Sequence, residues 1–441
     1  MAIFRILFLF LVVGNLAGCS GWWGGKEEAR LPGERISIMP ELANIRPDPK
    51  ISDIAVRLPR PFVNQDWPQA GGYAHHAMHH LSAKSGLVEI WDEDIGDGSS
   101  NDRQLLGAPV ISGGRIYTMD ADAEILALDA RTGNTVWERE VEPTRDEETE
   151  GTLGGGLAVS GRYLFATTGF GVVVGIDTAN GKILWRRNVG APIRSAPTVF
   201  GSRVFVVTIA NQTHALDFKD GRSLWTHSGI SETATLFGGA SPAAGGSSVV
   251  VSYSSGEIVA LRLENGRQIW SDSLTALRRT DPVSALAHIR GRPVIDRGRV
   301  IASANSGRTV AIDLRTGTRI WERNIGSSQS PWVVGEYIYL VTNGGQLVCL
   351  MRESGDVRWI VQLPRFEDEE DREDPIYWTA PVLAGDRLLL GGSHGEVWSV
   401  SPYSGKFLGR IELSDPLFIA PVIANDTVYF LADDATLSAY R

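Results

Sequence analysis

Six tryptophans in this chain close the same short pattern, a Gly, three residues and then Trp: Trp137, Trp185, Trp225, Trp270, Trp321 and Trp359. Each pattern follows a strand-like run, as in LALDARTGNTVW (126–137) and VAIDLRTGTRIW (310–321). The Trp-to-Trp gaps are 48, 40, 45, 51 and 38 residues. Self-similarity at roughly 40–50 residues marks a repeat array, and a β-propeller is the all-β fold built on that period.

The first repeat sets a template of four strands. Ala108 to Ile111, Arg115 to Met119, Glu124 to Asp129 and Thr135 to Val141 each show the alternation or short apolar run of a sheet strand. Similar units recur at about 154–189, 195–230, 240–274, 291–325, 330–363 and 379–413. The seventh ends on Gly409, where the pattern calls for Trp. The eighth, residues 420–441, supplies three strands and stops. Its missing strand is predicted at the other end, in GLVEIWDEDIG (86–96), where Trp91 lies 46 residues before Trp137. The expectation is an all-β, eight-bladed propeller of four-stranded antiparallel blades, closed by pairing the two ends of the chain. Closure removes the largest exposed sheet edges.

The repeat residues have structural work to do. Gly after Thr, Asn, Asp or Ser permits the positive φ of a tight hairpin. Asp129, Asp177, Asp217 and Asp313 are placed to accept hydrogen bonds from the turn backbone. Ala127, Ala215, Ala260 and Ala311 are small enough for close sheet approach. The Trp fills the wedge between blades and offers its indole N–H to a neighbouring carbonyl.

The N-terminus reads as a targeting segment. Arg5 precedes the apolar run Ile6 to Val13, and Leu16-Ala17-Gly18-Cys19 follows. That run is too short to span a bilayer. The tetrad resembles the lipobox of bacterial lipoproteins, which implies cleavage before Cys19 and lipidation of that residue. Ser20 follows, where Asp would mark inner-membrane retention in enterobacterial lipoproteins. Residues 1–18 are therefore expected to be a signal peptide, 19–61 the lipidated Cys and a Pro-containing tether, and 62–441 the propeller. Removing Arg5 takes the net charge from −10 to −11. That balance argues against nucleic acid as a partner. With Cys19 lipidated, Cys349 has no disulfide partner and is expected to be a small buried residue.

Several constellations could carry chemistry. His75, His76, His79 and His80 are four of the eight histidines, and on a helix their i,i+4 spacing would pair them as metal ligands. No carboxylate or Cys of matched spacing accompanies them, so a polar segment laid over the propeller is the expectation. Asp120, Asp122 and Glu124 lack the Gly and terminal Glu of a calcium loop and read as a hairpin turn. No cofactor and no metal are expected. Acidic insertions at 144–150 and 365–375 are solvated loops or a steering surface for a basic partner. Two long connections, 231–242 and 274–293, place Leu236, Phe237, Leu277, Leu286 and Ile289 among Arg278, Arg279, His288 and Arg290. Apolar residues on long loops suit an interaction surface. They equally suit a cover over the ring face.

The pattern A-x-D-x-x-T-G-x-x-x-W resembles the repeat of pyrroloquinoline-quinone enzyme propellers. Together with the lipobox, the stretch LPGERISI (31–38) and the lead-in DWPQAGGYAHHAMHH (66–80), it resembles the BamB family of outer-membrane assembly lipoproteins. The resemblance covers nearly all of the mature chain. It implies a non-catalytic scaffold, lipid-anchored in the outer membrane and facing the periplasm. Such a scaffold binds the POTRA domains of BamA, works with other barrel assembly components and handles unfolded outer-membrane proteins. It also places the BamA contact at the two long connections: Leu236 matches, Phe237 stands near the family's Arg position, and His288 and Arg290 stand near its two Asp positions. The acidic half of the family's contact is thus absent here. The alternatives are a quinone-dependent dehydrogenase or a generic envelope adaptor. The chain lacks the adjacent Cys pair of many quinone alcohol dehydrogenases, and its connections are mostly too short to wall a pocket over the ring face.

Overall fold

The computed structural model describes residues 45–101, 103–143, 154–232, 236–275 and 287–441. They form eight four-stranded antiparallel sheets and one small hairpin, with no helix among the described residues. Blade 1 runs from Val110–Ser112 inside to Thr135–Glu140 outside, and six further blades repeat that inside-to-outside order. Blade 8 is composite. Glu89–Asp94 pairs with the C-terminal strand Thr436–Tyr440, so the first and last strands of the propeller share one sheet. The eight-bladed closed ring expected from the repeat is the observed architecture.

Register explains the small residues. Ala127 lies directly opposite Trp137, Ala215 opposite Trp225, Ala260 opposite Trp270 and Ala311 opposite Trp321. Gly175 faces Trp185, and Cys349 faces Trp359. A Cβ on Gly175 would sit 2.4 Å from the Trp185 ring. The indole therefore lies across its own sheet, and only a small side chain fits beneath it. Cys349 holds the position that Ala holds in other blades. It is fully buried, and burial pushes its thiol pKa up. In blade 7, where Gly409 replaces Trp, the facing residue is Ser399, and Trp378, Trp398 and Phe407 cluster instead, with ring centroids 4.6–5.2 Å apart.

Each Trp also reaches the next blade. The indole N–H of Trp137 donates to Thr178 O, Trp185 to Phe218 O, Trp225 to Leu263 O, Trp270 to Leu314 O, Trp321 to Arg352 O and Trp359 to Pro402 O, at 2.8–3.2 Å. The ring of each Trp packs on the turn glycine of that same next blade. A Cβ on Gly181, Gly221, Gly266, Gly317, Gly355 or Gly405 would lie 2.4–3.0 Å from it. These glycines all have φ of 67–75°, in the left-handed region. The turn thus needs Gly twice, for its backbone and for the neighbouring indole. The turn aspartates act as expected: Asp129, Asp177, Asp217 and Asp313 accept backbone N–H bonds at 2.8–3.1 Å.

The lead-in segment does not lie over the propeller. It runs inside the ring and touches every blade in turn. Asn64 O accepts from Asn425 N in blade 8, and Trp67 exchanges both backbone bonds with Ile111 in blade 1. Pro68 O accepts from Val159 N in blade 2, and the Gln69 amide pairs with the Val199 backbone in blade 3. Ala74 O and His75 O accept from Ala244 N and Ile295 N in blades 4 and 5. His79 O accepts from the Trp332 indole in blade 6, and Leu81 pairs with blade 7 through Leu383 and Gly385. The inner strands have no strand partner on the channel side, so the segment satisfies backbone groups there that would otherwise depend on water. Upstream, the chain around residues 48–54 lies along blade 6: Asp48 N donates to Val357 O, and the Arg358 guanidinium donates to Ile54 O at 2.5 Å.

Candidate functional site

The two long connections meet on one face of the ring. Phe237 is 51% exposed, and the Arg194 guanidinium lies 5.6 Å from the centroid of its ring. Leu236, half-buried, donates its backbone N–H to His288 Nδ1 at 3.0 Å, which ties the first connection to the second. His288 is 5% exposed and lies beneath the surface as a brace. Ile289, which by sequence suits a surface and a cover over the ring face equally, is fully buried against blades 4 and 5. Its backbone N–H donates to Tyr253 O, which draws it into the core. Arg290 packs against Gly238, whose φ of 82° and missing Cβ leave room for it. Leu277, Arg278, Arg279 and Leu286 lie outside the described residues, as do Cys19 and the acidic stretch 144–150.

Below this face is a central cavity of about 130 Å³. The two long connections wall part of it, through Gly238, Gly239, Ser241, Arg290 and Arg292. The first residues of four inner strands, Val294, Trp332, Val382 and Val422, wall more of it, with Trp67, Gly71 and His76 of the lead-in segment beneath. A pocket forms even though most connections are short. Arg194, Arg290 and Arg292 all line it. Sequence reasoning did not single out Arg194 or Arg292. The only signal was two arginines, two residues apart, with no neighbouring acid in HIRGRP.

The four clustered histidines are not on a helix. His76 and His79 have positive φ, so the i,i+4 pairing expected of a helix does not form. His76 Nδ1 bonds Pro293 O at 2.7 Å, and His80 Nδ1 bonds Pro59 O at 2.7 Å. Both serve the packing of the lead-in segment. The stretch Asp120–Glu124 is a hairpin turn in which Asp120 Oδ1 accepts from the backbone of Asp122 and Glu124. The acidic insertion at 365–375 folds into an exposed hairpin, Phe366–Asp368 with Glu373–Pro375.

Two of the histidines make the site sensitive to acid. Burial, then Arg290 and Arg194, lowers His288 to about 4. Burial and Arg292 lower His76 to about 3. Both are neutral in the folded protein, while an unfolded chain takes up protons on them below about 6.5. Stability from this source is complete above pH 6.5 and falls as pH drops toward 4 and then 3. The slope approaches about 1.4 kcal/mol per pH unit for each histidine. Denaturant titrations at pH 7.5 and 5.0 should show this loss. In His288→Gln the loss should be smaller by roughly that amount per unit, because Gln still accepts from Leu236 N. An unchanged pH slope in the variant would show that His288 is protonated in the folded state.

Both the sequence and the fold have counterparts among known proteins. The family model described as "Outer membrane protein assembly factor BamB" matches residues 75–152 and 141–361. The chain belongs to the BamB family. The BamB of Yersinia pestis is 26% identical over 359 residues, covering 80% of this chain and 88% of that protein. The BamB of Escherichia coli strain K12 is also 26% identical, covering 79% and 87%. Among solved structures, BamB from Moraxella catarrhalis superposes with a TM-score of 0.68 at 18% identity, covering 81% of this chain and all of that one. A quinohemoprotein alcohol dehydrogenase from Comamonas testosteroni reaches 0.65 at 14% identity, covering 90% and 82%. That second likeness, at 14% identity, is one of fold alone.

Proposed function

We propose that this chain is a non-catalytic scaffold of the outer-membrane β-barrel assembly machinery. In this reading it is exported, cleaved before Cys19, lipidated there and tethered to the outer membrane facing the periplasm. It holds the POTRA domains of a BamA-type protein while barrel precursors fold and insert. The observation that carries the reading is membership of the assembly-factor family over residues 75–361. The ring face around Leu236 and Phe237 is the proposed contact; Leu277, Arg278 and Arg279, outside the described residues, are proposed to take part in it. Its features suit a hot spot: an exposed aromatic ring, held in place by a guanidinium and by a hydrogen-bonded loop. His288 and Arg290 support that face from below.

Recovery of a BamA-type protein with this chain from solubilised outer membrane tests the scaffold, with mass spectrometry as the readout. Phe237→Asp combined with Arg278→Glu should lower the recovery about tenfold or more, since a truncated hot spot costs about 2 kcal/mol. Unchanged recovery would move the contact elsewhere on the ring. Failure to recover any BamA-type protein with the unaltered chain would overturn the scaffold itself.

A further inference from the structure

The ring face leads into a cavity whose charge is unbalanced. Arg194, Arg290 and Arg292 line the same ~130 Å³ space, and no Asp or Glu lines it. Other arginines find acceptors: Arg162 pairs with Asp177, Arg222 with Asp217, Arg319 with Asp272 and Arg352 with Asp296 and Glu336, while Arg115, Arg139, Arg187 and Arg387 donate to backbone carbonyls. None of the three cavity arginines has an ion pair among the described residues, in a chain with ten more acids than bases. The Nε atoms of Arg194 and Arg292 are buried without a hydrogen-bond partner. Burial, and then the neighbouring Arg290, push Arg292 down to about 10, and burial also lowers Arg194 and Arg290. Buried cations are ordinarily paired, because desolvating an unpaired charge is costly.

We infer that this cavity is a carboxylate-binding site that receives an acidic residue of a peptide segment docked on the Phe237 face. The guanidinium fork matches a carboxylate, so charge-assisted bonds from Arg194, Arg290 and Arg292 would satisfy both sides. The exposed Phe237 ring beside Arg194 gives the flanking peptide an apolar foothold. Ser195, Ser241, Ser328 and Ser330 line the same space and are short enough to leave it open. The inference rests on the proposed docking face for its location, but its chemistry is tested without any assembly component.

The test uses the full chain in non-ionic detergent at constant ionic strength, with three fluorescent hexapeptides followed by anisotropy. One carries Asp and Glu side chains with an amidated end. One is neutral with a free C-terminal carboxylate. One is neutral and amidated. The expected result is saturable binding of the side-chain peptide. Arg290→Gln and Arg194→Gln should each weaken it about tenfold. Both variants should also raise the melting temperature, because an unpaired, partly desolvated cation is removed. A purely structural arginine would lower it. Binding confined to the free-carboxylate peptide would keep the site but assign it to chain termini, overturning the acidic side chain as its occupant. Equal binding of all three peptides, or binding unchanged in both variants, would overturn the site. A failed pull-down alongside saturable peptide binding would count against the scaffold reading alone.

Discussion

Removing the last six residues, Thr436 to Arg441, should abolish the cooperative thermal unfolding of the ring. Thr436–Tyr440 is the one strand in blade 8 that binds both ends of the chain: it pairs with Thr427–Leu431 on one side and Glu89–Asp94 on the other. Leu437 and Ala439 are fully buried and Tyr440 nearly so, and the Tyr440 hydroxyl donates to Glu89 Oε2 at 2.8 Å. At about 1.5–3 kcal/mol for each large buried side chain, the direct loss is several kcal/mol. To this is added the ladder with Glu89–Asp94, which is left with no sheet to join. A domain of this kind has about 5–15 kcal/mol in hand, so the loss is comparable with the whole. Calorimetry and solubility measure it. A matched change in the exposed 365–375 hairpin, replacing Glu369 to Arg372 with a two-residue turn, should leave the melting temperature within a few degrees. A sharp transition near the parent temperature in the truncated chain would show that the ring does not depend on its terminal closure.

The inter-blade tryptophans should fall into two energetic groups. Trp225→Ala should cost about 3–5 kcal/mol by emptying a buried wedge. Trp225→Phe keeps much of that volume but removes the donor to Leu263 O, at 2.9 Å, and should cost about 1–3 kcal/mol. Gly266→Ala attacks the same seam from the other blade. Its Cβ would lie 2.6 Å from the Trp225 ring at a φ of 69°, so strain and overpacking add to at least about 2 kcal/mol. Trp91 is the exception. Its indole N–H is buried without a partner, while the equivalent carbonyl in blade 1, Ala130 O, accepts from the Tyr429 hydroxyl at 3.2 Å. Trp91→Phe should therefore be close to neutral, within about 0.5 kcal/mol, since it removes an unsatisfied donor. Denaturant midpoints for the two Trp→Phe variants decide this. Equal costs would mean that the hydrogen bonds contribute nothing and that area alone sets the seam.

The halves of this architecture differed in how legible they were. The Trp, the turn Gly and the small residue opposite the Trp act within one blade or between adjacent blades, so a fixed spacing encodes them. That is why Trp91 could be matched to the C-terminal strands, and why Cys349 reads as a packing residue. Gly409 was visible as a missing Trp, but the Trp378, Trp398 and Phe407 cluster that replaces it follows no period. The i,i+4 spacing of the histidines has meaning only on a helix, and the backbone at His76 and His79 is left-handed. The place of Ile289 stays open in the sequence, because its apolar character fits a surface patch and a core equally well.

By itself the sequence determined the all-β class, the eight blades, their strand order and the closure by both chain ends. Each follows from period-2 alternation and a repeat of fixed length, which are local properties of the chain. Only the tertiary structure decided that residues 64–81 run inside the ring, and that Arg194 meets Arg290 and Arg292 beneath Phe237. The inner strands of all eight blades converge on one axis, so residues about a hundred positions apart in the chain become neighbours there. Nothing in their spacing records that meeting, because it is set by the closing of the ring.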